Sequence, residues 1–332
     1  MGSHRYGVLL AHSGATERVC GPTALQGDWL VAAATSALVE YPAPLMIRQQ
    51  DVSLTVLDAT QFGESGAGCV YLLRDAKNAL IDTGTAANAP RLLQALRGIR
   101  LDYAFMTHIH LDHAGAAGHL AAAHPETSFV VHPRGLTHLA DPARLVAGVR
   151  AASPDLAPLY GEPLPIDRAR LIPCVDGDSF ALGRNRLVVV EAPGHAPHHV
   201  CFYESTSGVL FAGDAVGHHG ASVEVPLTVP PRFDLAASRA SIRRLVELHP
   251  RALAFAHFGL AADASALLAS YPHRVDEWLA HVADQRTQVG EERVASAILA
   301  EPRNASLSEI GRSVVRLCVR GALLTLDAGR AA

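Results

Sequence analysis

Apolar residues along the chain fall into short runs separated by turn-forming sequence, and two series of such runs can be distinguished. The first series predicts strands over 52–57, 69–73, 78–82, 101–106 and 128–131, each rich in β-branched, aromatic or aliphatic residues. Helix-period sequence over 87–96 and 114–123 separates the later strands, and a sheet is expected to begin at Val52. The second series, over 171–175, 179–182 and 186–191, has turns at Asp176-Gly177 and Gly183-Arg184-Asn185, so it reads as antiparallel. Runs over 199–204 and 208–212 continue this second sheet. A helix over 234–249, a strand over 252–256 and mostly helical sequence from 263 onward, broken at Pro272 and Pro302, complete the pattern.

Two stretches stand outside the alternation. Residues 5–50 show no clear period, although 28–40 is Ala-rich enough for a short helix. Residues 136–166 are helix-like, with Asp141-Pro142 at a helix start and a Pro-rich loop over 153–165, and they interrupt the strand series. Such an interruption is either a cap inserted over a site or a plain surface helix pair. The resulting division is an N-terminal extension over 1–50, a sheet-forming unit over 51–262 with a candidate cap at 136–165, and a helical region over 263–332. The last region would pack on the sheets or mediate homodimer formation.

Composition narrows the function. With 332 residues, 49% hydrophobic and 18% charged, the chain can bury a large core. A formal net charge of −4 and no Lys/Arg block argue against a nucleic-acid footprint and favour a small-molecule substrate. The five cysteines, Cys20, Cys69, Cys174, Cys201 and Cys318, are scattered, with no Cys-x-x-Cys pair. They read as small buried hydrophobes in a reducing compartment, which points to the cytoplasm. Met1-Gly2-Ser3-His4 has the look of a tag remnant, and the apolar run at 6–11 is too short for a secretion signal. The apolar stretch 29–47 carries Glu40 and two prolines, against a membrane span.

The chemistry concentrates in Thr-His-Ile-His-Leu-Asp-His-Ala-Gly at 107–115, where His108, His110, Asp112 and His113 lie within six positions. An imidazole or carboxylate withdrawn from water needs a partner, and a cluster that cannot pair internally finds one in a cation. A solvated polar loop is the bland alternative. His195, Asp214 and His257 each directly follow a predicted strand, so a layered fold would gather them along one edge with the first cluster. Asp82, also at a strand end, either orients a ligand or forms a turn. His198 and His199 are substrate contacts, ligand-orienting donors or surface histidines. Of the adjacent pair His218 and His219, at most one can face the site from an extended segment. Tyr160, in the cap, is a substrate contact or a packed loop aromatic; His132 and His138 read as structural or solvated. Imidazole and carboxylate donors suit zinc, iron or manganese. A carboxylate holding two cations at about 3.5–4 Å would let a bridging water ionise near neutral pH, giving a hydroxide nucleophile.

The ordered motifs His-x-His-x-Asp-His, Pro-Gly-His-Ala-Pro-His-His, Phe-Ala-Gly-Asp-Ala and the final His257 resemble the metallo-β-lactamase fold superfamily over roughly 52–259. Within it they look like a branch of stand-alone hydrolases related to glyoxalase-II-type enzymes. The resemblance implies an α/β fold, an αββα four-layer sandwich with a helical insertion and C-terminal helices. It also implies that His108, His110 and His195 bind one metal, that Asp112, His113 and His257 bind a second, and that Asp214 bridges them. Asp112, His113 and Asp214 would then carry the catalytic centre of a two-metal hydrolase, most simply a zinc enzyme. Its target would be a carboxylic ester, thioester, lactone or phosphodiester. Two other readings follow from the same resemblance: an iron oxidoreductase of the persulfide dioxygenase type, and a non-catalytic metal-binding scaffold. Flavin-linked di-iron relatives carry Glu where His110 stands, and an extra flavin domain for which this chain has no room.

Overall fold

The computed structural model describes residues 30–33, 45–49, 52–219, 225–231 and 233–331. The first sheet has eight strands in chain order: β1 (Leu30–Ala33), β2 (Leu45–Gln49), β3 (Val52–Asp58), β4 (Cys69–Arg74), β5 (Ala79–Ile81), β6 (Tyr103–Phe105), β7 (Ser128–Val131) and β8 (Leu171–Pro173). Pairing is antiparallel from β1 through β5 and parallel from β5 through β8. The second sheet holds six: β9 (Ser179–Ala181), β10 (Arg186–Glu191), β11 (Val200–Glu204), β12 (Val209–Gly213), β13 (Ala252–Phe255) and β14 (Gly259–Ala261). All of its neighbours are antiparallel except β12 and β13.

Helices α1 (Ala89–Ala95), α2 (Leu111–Ala114), α3 (Ala117–Ala123), α4 (Leu136–Ala140) and α5 (Ala143–Ala152) belong to the first half. In the second half are α6 (Leu235–Glu247), α7 (Ala264–Val289), α8 (Val294–Leu299) and α9 (Glu309–Ala331). The apolar runs are near-continuous because both faces of each sheet are buried. On β4, Tyr71 and Leu73 point to the second sheet, whereas Val70 and Leu72 point to α1 and α3. On β12, Val209 and Phe211 join that same inter-sheet core, and Leu210 and Ala212 join the cluster built by α6, α7 and α9. Helix, sheet, sheet and helix therefore form the four layers of an αββα sandwich.

Several sequence expectations need correction. The helix expected over 28–40 is not present at Leu30–Ala33, which pairs in register with Leu45–Arg48 as a sheet strand; cross-strand pairing there overrides the helical preference of alanine. The remainder of that stretch lies outside the described residues. The first sheet accordingly starts two strands before Val52. The run at 171–175 belongs to the first sheet, because β8 lies parallel to β7, and the chain changes sheets only after it. Strand β14 was not foreseen; its three residues are too few to show a period. Pro272 does not break α7, since Leu268, Tyr271, Val275 and Trp278 are buried on both sides of it and hold the axis together. Pro302 does fall between α8 and α9.

No helix among the described residues is long and apolar enough to cross a membrane. The C-terminal helices grip the segment after Asp214 tightly. Thr228 is fully buried, its hydroxyl donating to Cys318 O of α9 at 2.8 Å and accepting from Trp278 Nε1 of α7 at 2.9 Å. Gly321 lies against the same segment, and a Cβ there would fall 1.7 Å from Thr228 O. Gly321→Ala is therefore expected to destabilise the fold by about 1–3 kcal/mol through overpacking. Chemical denaturation checks this: a midpoint equal to that of the parent would mean that α9 shifts freely.

Candidate metal centre

The site is assembled where strands of both sheets end at one edge. Asp82, just past β5, is the organiser of the first half. Its Oδ1 accepts from Thr107 N at 2.8 Å and its Oδ2 from Thr107 Oγ1 at 2.8 Å, which ties the end of β5 to the end of β6. The same Oδ2 lies 3.0 Å from His113 Nδ1. Asp82 therefore orients the His113 ring rather than merely forming a turn. The chain then winds into α2, where His113 N and Ala114 N donate to His110 O, so Asp112 and His113 sit in a first helical turn.

The second sheet supplies the rest. His195 follows β10, Asp214 follows β12 and His257 follows β13. Val200 N donates to Thr107 O and Cys69 N to Ala256 O, both at 2.8 Å, so the edges of the two sheets are held in register beside the site. Gly213, with φ of +50°, precedes Asp214; a Cβ there would lie 2.6 Å from His199 Nε2 and 2.9 Å from Thr107 Cβ. Glycine lets His199 Nε2 accept from Asp214 N at 3.0 Å, which places the carboxylate.

Two groups of donors result, each with its atoms within 4.8 Å of one another: His108, His110, His195 and Asp214, and beside them Asp112, His113 and His257. In the first, His108 Nε2 and His195 Nε2 each lie 3.0 Å from His110 Nδ1. Asp214 divides its two oxygens. Its Oδ2 lies 3.2 Å from His195 Nε2 and 3.7 Å from His108 Nε2. Its Oδ1 lies 3.3 Å from His113 Nε2 and 3.4 Å from His257 Nε2. Asp112 Oδ2 lies 3.6 Å from both of those nitrogens.

The outward nitrogens fix the tautomers. His195 Nδ1 faces Leu227 O and His257 Nδ1 faces Ala67 O, each at 3.0 Å. A carbonyl only accepts, so both Nδ1 atoms carry hydrogen and both Nε2 atoms are the ones turned inward. His113 Nδ1 is held by Asp82 and His108 Nδ1 by Thr107 Oγ1 at 3.1 Å in the same sense. The donors fit divalent transition cations: His113 Nε2 and Asp214 Oδ1 are buried with no hydrogen-bond partner, and the Nε2 atoms of His108 and His195 both converge on His110 Nδ1.

With protein charges alone, burial pushes the imidazoles of His108 and His110 well below their ordinary pKa and lowers that of His195. Burial works in the same direction on His113 and His257, but the carboxylates of Asp214 and Asp112 outweigh it and raise both. Burial alone would raise Asp214; the surrounding His113, His257 and His195 instead hold it well below the usual carboxylate range. A concentrated carboxylate charge is thus built into the middle of the site.

The structure brings together the seven sequence-derived ligand positions. A cavity of about 650 Å³ opens onto His110, Asp112, His195, Asp214 and His257, and Tyr160, His218 and His219 also line it. The ring of Tyr160 packs edge-on against Phe62 at 5.0 Å. His218 sits 4.8 Å from the His257 ring, with burial pushing its pKa down to about 3. His219 borders the cavity as well, contrary to the expectation for the adjacent pair, because the chain bends there instead of running extended; its ring stacks on Phe255 and its backbone N–H donates to His257 O. His198 does not line the cavity; it stacks behind His108 at 6.2 Å, pushed by burial to about 4. His132 is turned away toward Glu191, 3.7 Å from its carboxylate. Sequence reasoning missed Gln61, whose Nε2 donates to Asp112 Oδ2 at 3.1 Å, and the carbonyls of Ala67 and Leu227. A backbone carbonyl leaves no signature in side-chain identity.

An αββα sandwich with a clustered His/Asp site at one edge defines a metal-site class of protein. Residues 65–257 match the family described as the metallo-beta-lactamase superfamily, and the chain belongs to that superfamily. It is 31% identical over 172 residues to the metallo-beta-lactamase fold-containing protein ST1585 of Sulfurisphaera tokodaii, covering 49% of this chain and 62% of that protein. The crystal structure of ST1585 superposes with a TM-score of 0.61 at 23% identity, over 81% of this chain and 98% of that one. The atrochrysone carboxyl ACP thioesterase AgnL7 of Paecilomyces divaricatus is 27% identical over 199 residues, 59% of this chain and 54% of its own length. A hydroxyacylglutathione hydrolase of Fuscovulum blasticum is 32% identical over 149 residues, 44% of this chain and 47% of its own. The chain thus spans between about half and three fifths of the length of these curated relatives.

Asp82→Asn replaces the carboxylate behind His113 with an amide and is expected to weaken metal affinity by about 10- to 100-fold. Competition against a chromogenic chelator measures this. Equal affinity in the variant and the parent would show that Asp82 serves the backbone alone.

Proposed function

We propose that the protein is a hydrolase of acyl esters, with thioesters first among them, working with two divalent cations, zinc by preference. The observation that carries this reading is the division of Asp214, one oxygen toward each donor group, at the floor of an open cavity. His108, His110 and His195 would hold one cation, and Asp112, His113 and His257 the other, with Asp214 shared. When bound, such a pair supplies a water acidic enough to ionise near neutral pH and an electrophile for the substrate carbonyl.

The chain's own residues do the rest. Asp82, Leu227 O and Ala67 O hold the imidazole planes, and the Gln61 amide holds Asp112 by its Oδ2. Burial raises the Tyr160 phenol well above its usual pKa, so its hydroxyl stays a donor to bound substrate. His218 remains neutral at pH 7 and can hydrogen-bond a substrate without charging. The segment 136–165 acts as a cap, since its Val149, Leu156 and Tyr160 form cavity wall.

The choice of bond rests on charge. Among the described residues no lysine or arginine lines the cavity, so the carboxylates of a glutathione leaving group find no cationic side chain to pair with away from the donor groups. An uncharged acyl thioester fits better. The motif likeness to the glyoxalase-II-like branch and the thioesterase and hydroxyacylglutathione hydrolase names of relatives support hydrolysis of a thioester bond. Among the described residues no cysteine competes for the role of nucleophile: Cys69, Cys174, Cys201 and Cys318 are buried, and burial pushes their thiols up, Cys69, Cys174 and Cys318 to about 12.

Protein purified without chelator is expected to approach two metal equivalents per chain, and Asp214→Ala to lose both metal and thioester hydrolysis. Prolonged dialysis against chelator should abolish the rate and added zinc restore it, while iodoacetamide leaves it intact. Full activity at one equivalent in excess zinc would sink the two-cation assignment; a rate indifferent to chelator would sink metal dependence altogether.

A further inference from the structure

The cavity does not stop at the metal ligands. Gln61, His110, Asp112 and Asp214, drawn together by the Gln61–Asp112 hydrogen bond and the donor grouping, make one polar part of its lining. Beyond Tyr160 the walls change character. One wall is α5 with the turn after it, contributing Val149 and Leu156; the other is α9, contributing Ile310, Gly311, Val314 and Leu317. Ser153 is the polar side chain lining this end, and its hydroxyl is already turned to Asp155.

Helix α9 carries two apolar stripes with different fates. Val315, Cys318, Val319 and Ala322 are buried in the core against the second sheet. Ile310, Val314 and Leu317, spaced i, i+4 and i+7, fall on a separate face and are only half-buried. Across from them, α5 buries none of its residues, although Val146 and Val149 point inward. Val149, Ile310 and Val314 gather around Leu156 and Tyr160, and these residues, with Leu317, also line the cavity, so both helices present apolar side chains to it. Polar contacts tie the two helices together: Ser313 Oγ donates to Asp155 Oδ2 at 2.7 Å, and Arg320 Nη1 to Ala152 O at 3.1 Å. Apolar side chains on two cross-linked helices, open to a cavity, form a slot that an apolar ligand completes.

We propose that α5 and α9 form an acyl-binding cleft, and that the substrate is the thioester of a medium- or long-chain apolar acyl group. This rests on the hydrolase reading above. The scissile carbonyl lies at the polar end, beside Asp112 and Asp214, and the hydrocarbon runs between Val149, Leu156, Val314 and Leu317. The leaving thiol departs through the open side near Glu64 and Ser65, which also border the cavity. Hydrolysis breaks the carbonyl carbon–sulfur bond, adds water's oxygen to the acyl carbon and returns a proton to the thiolate. The free fatty acid is the product.

The test uses zinc-loaded protein and a series of N-acetylcysteamine thioesters from acetyl to decanoyl, alongside calorimetric binding of decanoate. kcat/KM should rise by roughly fourfold per added methylene until the cleft is filled. Val314→Trp, which fills the cleft, should cut the decanoyl-to-acetyl ratio by roughly tenfold or more and abolish decanoate binding, with metal content unchanged. Leu317→Lys, a second variant that places a charge in the slot, should act in the same direction. Equal rates along the series, with no decanoate binding, would overturn the cleft while leaving the hydrolase reading in place. Decanoate binding that Val314→Trp removes, with no thioester hydrolysed, would uphold the cleft and overturn the hydrolase reading. Failure of both hydrolysis and binding would overturn both.

Discussion

A carboxylate buried at the junction of two sheets is the constraint on which the rest of this structure depends. Removing Asp214 from water costs several kcal/mol unless its charge is met at close range. Four imidazoles stand within 3.7 Å of its two oxygens, and the strand ends that deliver them come from both sheets. The hydrogen bonds that pin Thr107 to Asp82, Val200 to Thr107 and His199 to the Asp214 backbone all serve to hold that one charge opposite its partners. Relaxing any of them separates the charge from what compensates it.

The C-terminal helices take part in this arrangement without supplying a ligand. Trp278 and Cys318 clamp Thr228, and the residue before it, Leu227, presents the carbonyl that sets the ring of His195. Packing at the back of the molecule therefore reaches the site through a single peptide unit. The same α9 that performs this clamping shows its other apolar face to the cavity, so one helix both supports the His195 ring and shapes what lies in front of it.

Much of this was legible in the residues. The density of His and Asp at 108–113 and the placement of His195, Asp214 and His257 after apolar runs were visible because ligands need special side chains and strands need apolar ones. The inter-sheet core showed in the continuous runs at 69–73 and 208–212. What stayed hidden depends on partners distant in sequence. The pairing of Leu30–Ala33 with Leu45–Gln49, the return of Leu171–Pro173 to the first sheet and the survival of α7 through Pro272 are all decided by tertiary contacts that override local preference. Gln61 gave no sign of its link to Asp112, and the Ala67 and Leu227 carbonyls are properties of the backbone.

Because His108, His110, Asp112 and His113 hang from the first sheet and His195, Asp214 and His257 from the second, neither half of the sandwich owns a complete donor set. A cation held there is a staple between layers, comparable to a disulfide that closes a loop of more than a hundred residues, yet reversible with free metal concentration. Binding to the folded chain alone adds RT ln(1 + [L]/Kd) to stability, about 2.7 kcal/mol at a hundredfold excess over Kd. Under the proposed reading, metal supply would then set not only whether this site can react but how firmly the two sheets are held together.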